Sequence, residues 1–332
     1  MSGLPDNSTA PTISHDGQRS RVPLPPALEA GARLLLAWFH DRHGLRRNRP
    51  PWRFLSRTAR FLALGRRQAL VEAQMGSLSV LVSTSDRTIA RSVFTSGDWD
   101  PLLVGTVFDA LDEFGVRYQG TTFLEIGANF GVYSLPAVAD LGFGRAIAYE
   151  PDPASFELLV ENIRRNGLAD RVAAHHAALS AAAGELTLSL GGSNAGDNRI
   201  VDETGAAPRR PTVRVPARTF DAEVDAGRVP LDDIGLVWLD VQGHERDVLS
   251  GAQSLLASNV PIVLEYSTAM ADDARVRDLE RIIGSHFDVL VDLGWCSLTG
   301  RLRFQPASSI SRLAAAGRAV ETDLLLIHQR LR

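Results

Sequence analysis

The chain has 332 residues, 45% of them apolar and 22% charged, with a formal net charge of −4; these are ordinary values for a soluble globular protein of one large domain or two modest ones. Cys296 is the single cysteine, which excludes an intrachain disulfide and a multi-cysteine zinc site. All 35 basic residues are Arg and none is Lys, which excludes lysine Schiff-base chemistry and the phosphate loop that needs its Lys.

Residues 1–26 are rich in Pro, Ser and polar residues and cannot bury enough surface to offset ordering entropy, so a disordered tail is expected. That segment has no apolar signal core and no run in the chain approaches a bilayer span, so no export signal or transmembrane segment is expected, and a cytoplasmic location follows as the default. Leu28, Leu34, Leu35, Trp38 and Phe39 recur at helical spacing over 27–44, and a helix packed on the domain is favoured over one lying on a membrane. Residues 1–70 hold twelve Arg against four acids, whereas the rest holds 23 Arg against 35 acids. That basic segment suits acidic lipid, nucleic acid or the protein's own acidic body, the last being favoured. Together residues 27–115 read as an N-terminal helical/strand extension, with a strand at 77–82 and a helix at 101–114.

From 116 to 332 the pattern becomes regular. Residues 121–128 form a short apolar strand ending at a glycine turn, 132–142 a helix interrupted near Pro136, and 145–151 a second strand. Asp152 can cap the next helix, Pro153 fits its first position and Gly167 stops it. Strand patterns follow at 171–179 and 185–190, then a Gly-, Asn- and Pro-rich loop over 191–212. A buried strand at 235–243, a helix at about 244–257, a strand at 261–267, a helix at 274–284 and strands at 287–294 and 323–329 complete the chain. Strands alternating with helices predict a doubly wound, mostly parallel α/β sheet.

In such sheets ligands bind beyond the carboxyl ends of the strands, where the strand order reverses. The first strand ends in Glu125-Ile126-Gly127, and Gly127 and Gly131 flank three residues that open a helix. The second strand ends 25 residues later in Glu150, where a carboxylate can accept both ribose hydroxyls of an adenosine. A dinucleotide site wants three closely spaced glycines facing a pyrophosphate. Here position 129 is Asn, and Glu125 would repel an anion, so a sulfonium donor such as S-adenosylmethionine suits the loop better than a nicotinamide dinucleotide.

The runs FLEIGANFGVYSL, AIAYEPDPASFELLVENIRRN, HHAALS, LVWLDVQGHERDVLSGA and PIVLEYS, spread over roughly 77–267, resemble the FkbM-type methyltransferases. The resemblance implies a class I, Rossmann-like, seven-stranded fold, S-adenosylmethionine as donor, and a hydroxyl acceptor on a polyketide, sugar or similar small metabolite. It implies a donor site at Glu125, Gly127, Ala128, Asn129, Gly131, Glu150 and Pro151, with Ala178 and Leu179 along the adenine and Asp240 beside it. Asp240, Gly243 and Glu245 match the family's Asp-x-Glu-Gly-x-Glu stretch. The chain departs from that pattern at Trp238, where Lys is common, and at Gln242, where Glu is common.

An alcohol needs a base within reach to become a good nucleophile. His244 is expected to accept the hydroxyl proton and Asp240 to position donor or acceptor. Glu265, at the end of its strand, is a second carboxylate for the acceptor mouth, alongside Gln242, Glu245, and Asn198 and Arg199 of the 191–212 loop, read as a lid. Asp240, His244, Glu245 and Glu265 offer ligand atoms, but Gln242 removes a carboxylate, so no metal site is assigned and magnesium alone stays open. The alternatives to methyl transfer are a nicotinamide dehydrogenase and a catalytically silent binding module. Nucleic acid is not expected as a partner, given 7% aromatic content and an acidic body; homo-oligomerisation is left open.

Overall fold

The computed structural model describes residues 51–201, 210–270, 272–314 and 320–328. The expected tail over 1–26 and the helix over 27–44 lie outside these residues, as does the middle of the 191–212 loop.

The chain opens with α1 (Pro51–Leu64), the antiparallel hairpin β1 (Leu70–Met75) and β2 (Leu78–Ser83), then α2 (Ile89–Ser96) and α3 (Pro101–Phe114). The main run follows as β3 (Thr122–Ile126), α4 (Ser134–Ala139), β4 (Arg145–Tyr149), α5 (Pro153–Arg165), β5 (Val172–His175) and β6 (Ala178–Leu179). Next come β7 (Gly184–Ser189), β8 (Arg199–Val201), β9 (Thr212–Arg218), α6 (Phe220–Asp225), β10 (Ile234–Leu239), α7 (Glu245–Ser250), α8 (Gln253–Leu256) and β11 (Ile262–Ser267). The chain closes with α9 (Asp273–His286), β12 (Val289–Asp292), α10 (Leu293–Thr299), β13 (Phe304–Pro306), α11 (Ser311–Ala314) and β14 (Glu321–Ile327).

The central sheet runs β13-β12-β14-β11-β10-β3-β4-β5. Strands β5, β4, β3, β10 and β11 pair in parallel, and β14 inserts antiparallel between β11 and β12. The sheet therefore has eight strands where seven were expected; the extra one is the three-residue β13, which returns antiparallel on β12. Strands β3 and β10 are buried at every position, which is why they read as unbroken apolar runs. Their side chains alternate between two cores: Phe123, Leu236 and Trp238 point into one cluster, Leu124, Ile126, Val237 and Leu239 into the other. The first cluster also takes Phe61, Val71, Val80, Val93 and Leu111, so the described part of the N-terminal extension shares a core with the sheet.

Four expectations shift. The stretch 171–179 is two strands serving different sheets: β5 pairs with β4, whereas β6 joins a second sheet ordered β6-β9-β7-β8. The described part of the 191–212 loop contains a turn of 3-10 helix at Ala195–Asp197 and strand β8. Helix α4 begins at Ser134, so Pro136 falls in its first turn, where a missing N–H costs nothing. The helix expected over 244–257 breaks between α7 and α8, because Gly251 meets another chain segment: a Cβ there would lie 2.1 Å from the Ser180 carbonyl oxygen.

Asn162 of α5 and Asn166, which caps its C-terminus, close the free edge of the hairpin. Asn162 accepts from the Leu81 amide (2.7 Å) and donates to the Leu81 and Phe130 carbonyls (3.1 and 3.2 Å). One turn on, Asn166 accepts from the Ser79 amide (3.0 Å) and donates to its carbonyl (2.9 Å). A helix thus supplies the pairing that a further strand would give, and β2 presents no bare edge there. Among the described residues no helix is long and apolar enough to cross a membrane.

Asn162 is fully buried. Replacing it by Ala strands the Leu81 amide and two carbonyls, and Asn162→Ala should lower the unfolding free energy by about 3 kcal/mol in urea titration; an unchanged midpoint and slope would show the clasp to be idle.

Candidate active site

Strand order reverses between β3 and β10, and the loops leaving them separate to open a cleft. Gly127 sits at φ 93°, and a Cβ on it would lie 1.9 Å from the Asp240 carbonyl oxygen, so only glycine lets the two loops pass. The Gly127 and Ala128 amides both donate to the Tyr149 carbonyl (2.9 and 3.0 Å), stitching the loop to the end of β4. Gly131, at φ 91°, is glycine for a different reason: a Cβ there would lie 2.7–2.9 Å from Leu135 and Leu159.

Asn129 takes the left-handed conformation at φ 50°, which Asn tolerates best among non-glycine residues after its short side chain bonds locally; here its Oδ1 accepts from the Phe130 amide (2.9 Å). That turn aims the Asn129 amide at Glu150 Oε2 (2.6 Å), while Glu150 Oε1 accepts from the Asp152 amide (2.7 Å). Burial pushes the Glu150 carboxyl up to about 8 against these two donors.

The empty space of the cleft, with the open solvent at its mouth included, is about 730 Å³. Of the residues expected in it, Gly127, Asn129, Glu150, Pro151, Ala178, Leu179, Asn198, Asp240, Gln242 and His244 line it. Glu125, Ala128, Gly131, Arg199, Glu245 and Glu265 are not among its lining residues. Glu125 gives one oxygen to the Tyr133 amide (3.1 Å) and the other to the Ser134 amide (2.7 Å), so it holds the start of α4 and acts on the ligand cleft only through that helix. Glu245 Oε1 accepts from the Val241 and Gly243 amides (3.2 and 3.1 Å) and shapes the loop that carries Asp240 to His244. Arg199 is bound to Asp197, as is Arg210, and Asn198 Oδ1 accepts from the Gly191 amide (2.6 Å).

Asp240 ends β10, its amide still paired to the Ile126 carbonyl (3.1 Å). Gln242, left-handed at φ 55°, turns its amide nitrogen back to donate to both Asp240 Oδ1 (2.7 Å) and Glu265 Oε2 (2.8 Å). Burial holds the Asp240 carboxyl above its ordinary range. His244 is buried; its Nε2 lies 2.9 Å from Ser180 Oγ and its Nδ1 3.6 Å from Asp247 Oδ2. Asp247 is itself held by Arg246 (3.0 Å) and Arg275 (2.7 Å).

Reading the sequence missed several lining residues. Tyr133, stacked on Trp238 with ring centroids 4.0 Å apart, faces the cleft, as does Trp99. Ile89, Val132, Leu188 and Ile200 complete the wall. Among the described residues no group of three or more His, Cys, Asp or Glu is arranged to hold a metal ion.

Residues 125–288 match the family described as methyltransferase FkbM domain. The ribosomal protein L11 methyltransferase of Sorangium cellulosum (strain So ce56) is 37% identical over 68 residues, 20% of this chain and 21% of that protein. This chain therefore spans about a fifth of the length of that curated relative. Solved structures similar to this one include Pyrococcus horikoshii TYW2 in complex with MeSAdo, with a TM-score of 0.37 and 15% identity over 78% of this chain and 72% of that one. The precorrin-6y C5,15-methyltransferase of Geobacter metallireducens GS-15 has a TM-score of 0.33 and 12% identity over 68% of this chain and 86% of that one. The glycine loop, Glu150 and the Asp240–Glu245 stretch all lie inside the residues that match the methyltransferase FkbM domain.

Proposed function

We propose that this protein is an O-methyltransferase that moves a methyl group from S-adenosylmethionine to a hydroxyl of a small metabolite, a polyketide, a sugar or a similar natural product. One observation carries this reading: a single cleft joins the glycine loop and Glu150 to Asp240, Gln242 and His244. When bound, the donor supplies a methyl group activated by its sulfonium. Gly127, Asn129, Glu150, Pro151, Ala178 and Leu179 would hold it, and among the described residues no Arg lines the cleft, which fits a cationic ligand without phosphate.

The rest of the reaction falls to the chain's own groups, which must orient the acceptor oxygen and take its proton. Asp240 is placed to do this. Gln242 fixes its Oδ1, and among the described residues nothing hydrogen-bonds its Oδ2. Its raised pKa makes it a better base than an ordinary carboxylate. This moves the proton acceptor away from His244, the residue expected from the sequence, because the imidazole Nε2 is bonded to Ser180. A second reading keeps His244 as the base: it lines the cleft, and Asp247 beside Nδ1 favours the tautomer that leaves Nε2 able to accept a proton.

The two readings separate in kinetics. Asp240→Asn should lower kcat by about 10²–10⁴ and remove the fall in rate toward acid pH, with S-adenosylhomocysteine affinity kept. His244→Gln should cost less than about tenfold. The reverse ranking would assign the proton to His244.

Glu265 generates a stability prediction. Burial, then the nearby Asp240, Glu245 and Asp323 charges, push its carboxyl up to about 9. Folding therefore keeps a proton that the unfolded chain releases above about pH 4.3. The stabilisation is complete below that pH and is lost as pH rises toward 9. Glu265→Gln keeps a hydrogen-bonding side chain and cannot ionise, so the decline of Tm between pH 5 and 9 should be shallower in the variant; parallel curves would mean Glu265 is ionised in the fold.

A further inference from the structure

Besides the residues assigned to the donor, the cleft is lined by Ile89, Trp99, Val132, Leu188 and Ile200. These come from separate elements: Ile89 begins α2, Trp99 precedes α3, Val132 precedes α4, and Leu188 and Ile200 belong to β7 and β8 of the second sheet. The start of α2 touches the segment that leads into β8. The Arg87 amide donates to the Ser193 carbonyl (2.7 Å), and Gly196 lies so close to Ile89 that a Cβ would be 2.8 Å from its Cδ1.

The five side chains of this wall carry one polar atom among them, the Trp99 indole nitrogen. Asn198, beside it in the cleft lining, gives its Oδ1 to the Gly191 amide. A sugar ring placed here would leave several hydroxyls without partners, each a desolvation loss. Charge is as selective as polarity. Among the described residues no Arg lines the cleft, and Arg199 and Arg210 are bound to Asp197. A phosphorylated acceptor or a nucleic acid would find Asp240 and no cation to receive it.

We propose that the acceptor is a neutral alcohol with an apolar body, that this body lies against Ile89, Trp99, Val132, Leu188 and Ile200, and that Trp99 and Ile200 set its selection. The proposal rests on the methyltransferase reading of the cleft and narrows its acceptor. The apolar wall desolvates the body while Asp240 and Gln242, gathered at the reacting end, receive the hydroxyl. Selection then comes from shape, since one methylene in an apolar pocket changes affinity by about 10–200-fold.

The test uses the full chain loaded with S-adenosylhomocysteine and the neutral apolar fluorophore N-phenyl-1-naphthylamine. The fluorophore should bind and be displaced by cyclododecanol, but not by methyl glucoside, glucose 6-phosphate or a tRNA transcript. Ile200→Ser and Trp99→Ser should each weaken it about tenfold or more, with calorimetric S-adenosylhomocysteine affinity and Tm close to those of the parent. Ile200→Ser, at a three-residue edge strand, keeps the test usable if Trp99→Ser unfolds. Absent fluorophore binding, binding indifferent to Ile200→Ser, or displacement by the phosphorylated or glycosidic ligands would overturn the acceptor proposal while leaving the donor site standing. Failure of S-adenosylhomocysteine itself to bind the parent would instead bring down the methyltransferase reading of the cleft, and this proposal with it.

Discussion

The site depends on one backbone approach: Gly127 against the carbonyl of Asp240. The loops leaving β3 and β10 pass so closely that a single methyl group on Gly127 would overlap that oxygen at 1.9 Å. The approach is locked from both sides. Asp240 continues the ladder through its amide to Ile126, and the Gly127 and Ala128 amides converge on Tyr149. Three strand ends are therefore tied at one place, and the carboxylates of Glu150 and Asp240 face a common space. The anchor reaches deeper through the Tyr149 side chain. Its hydroxyl donates to Glu223 (2.8 Å), a carboxylate that Arg228 and Arg218 hold far below its usual range, to about 2. Tyr149 also stacks on His175 with centroids 4.8 Å apart, so the floor of the cleft is fixed by packing, ion pairing and backbone pairing together.

What could be read from the chain beforehand follows from how each feature is encoded. Strands β3, β4, β10 and β11 are apolar runs bounded by turns, and their order with the intervening helices implies a parallel sheet whatever the side chains do later. Gly127, Asn129, Glu150 and Asp240 stand at strand ends, where such a sheet binds ligands, so position alone marks them. Side-chain direction is not encoded in that way. Glu125 also ends a strand, yet its oxygens turn to the first amides of α4. Arg199 is in the expected lid, yet Asp197, two residues away, takes its guanidinium. The apolar wall was the least visible part. Ile89, Leu188 and Ile200 come from elements far apart in the chain, and an apolar residue facing a cleft has the same pattern as one facing a core. The division of 171–179 between two sheets was hidden for a related reason: both strands are apolar, and only the pairing partners of β6 show that it belongs elsewhere.

A chain without lysine must manage its buried acids with other donors. Around Gln242 lie Asp240, Glu265 and Asp323; burial raises all three, the Asp240 charge raises Glu265 and Asp323 further, and Glu321 raises Asp240. Where the family commonly places Lys, this chain has Trp238, which stacks on Tyr133 and carries no charge. Where Glu is common it has Gln242, whose one amide nitrogen reaches two carboxylates at 2.7 and 2.8 Å. The two departures belong together. A Glu at 242 without a cation at 238 would put a further negative charge against Asp240 and Glu265. An amide there adds a donor and no charge, so the neighbouring acids can share protons. A site of this kind is tuned by what enters it. A cation close to Asp240 favours its ionised form, whereas a neutral acceptor body drives water out and favours the neutral form. On the proposed reading the donor therefore promotes ionisation of the base, and the apolar wall, by excluding water, strengthens that electrostatic link between them.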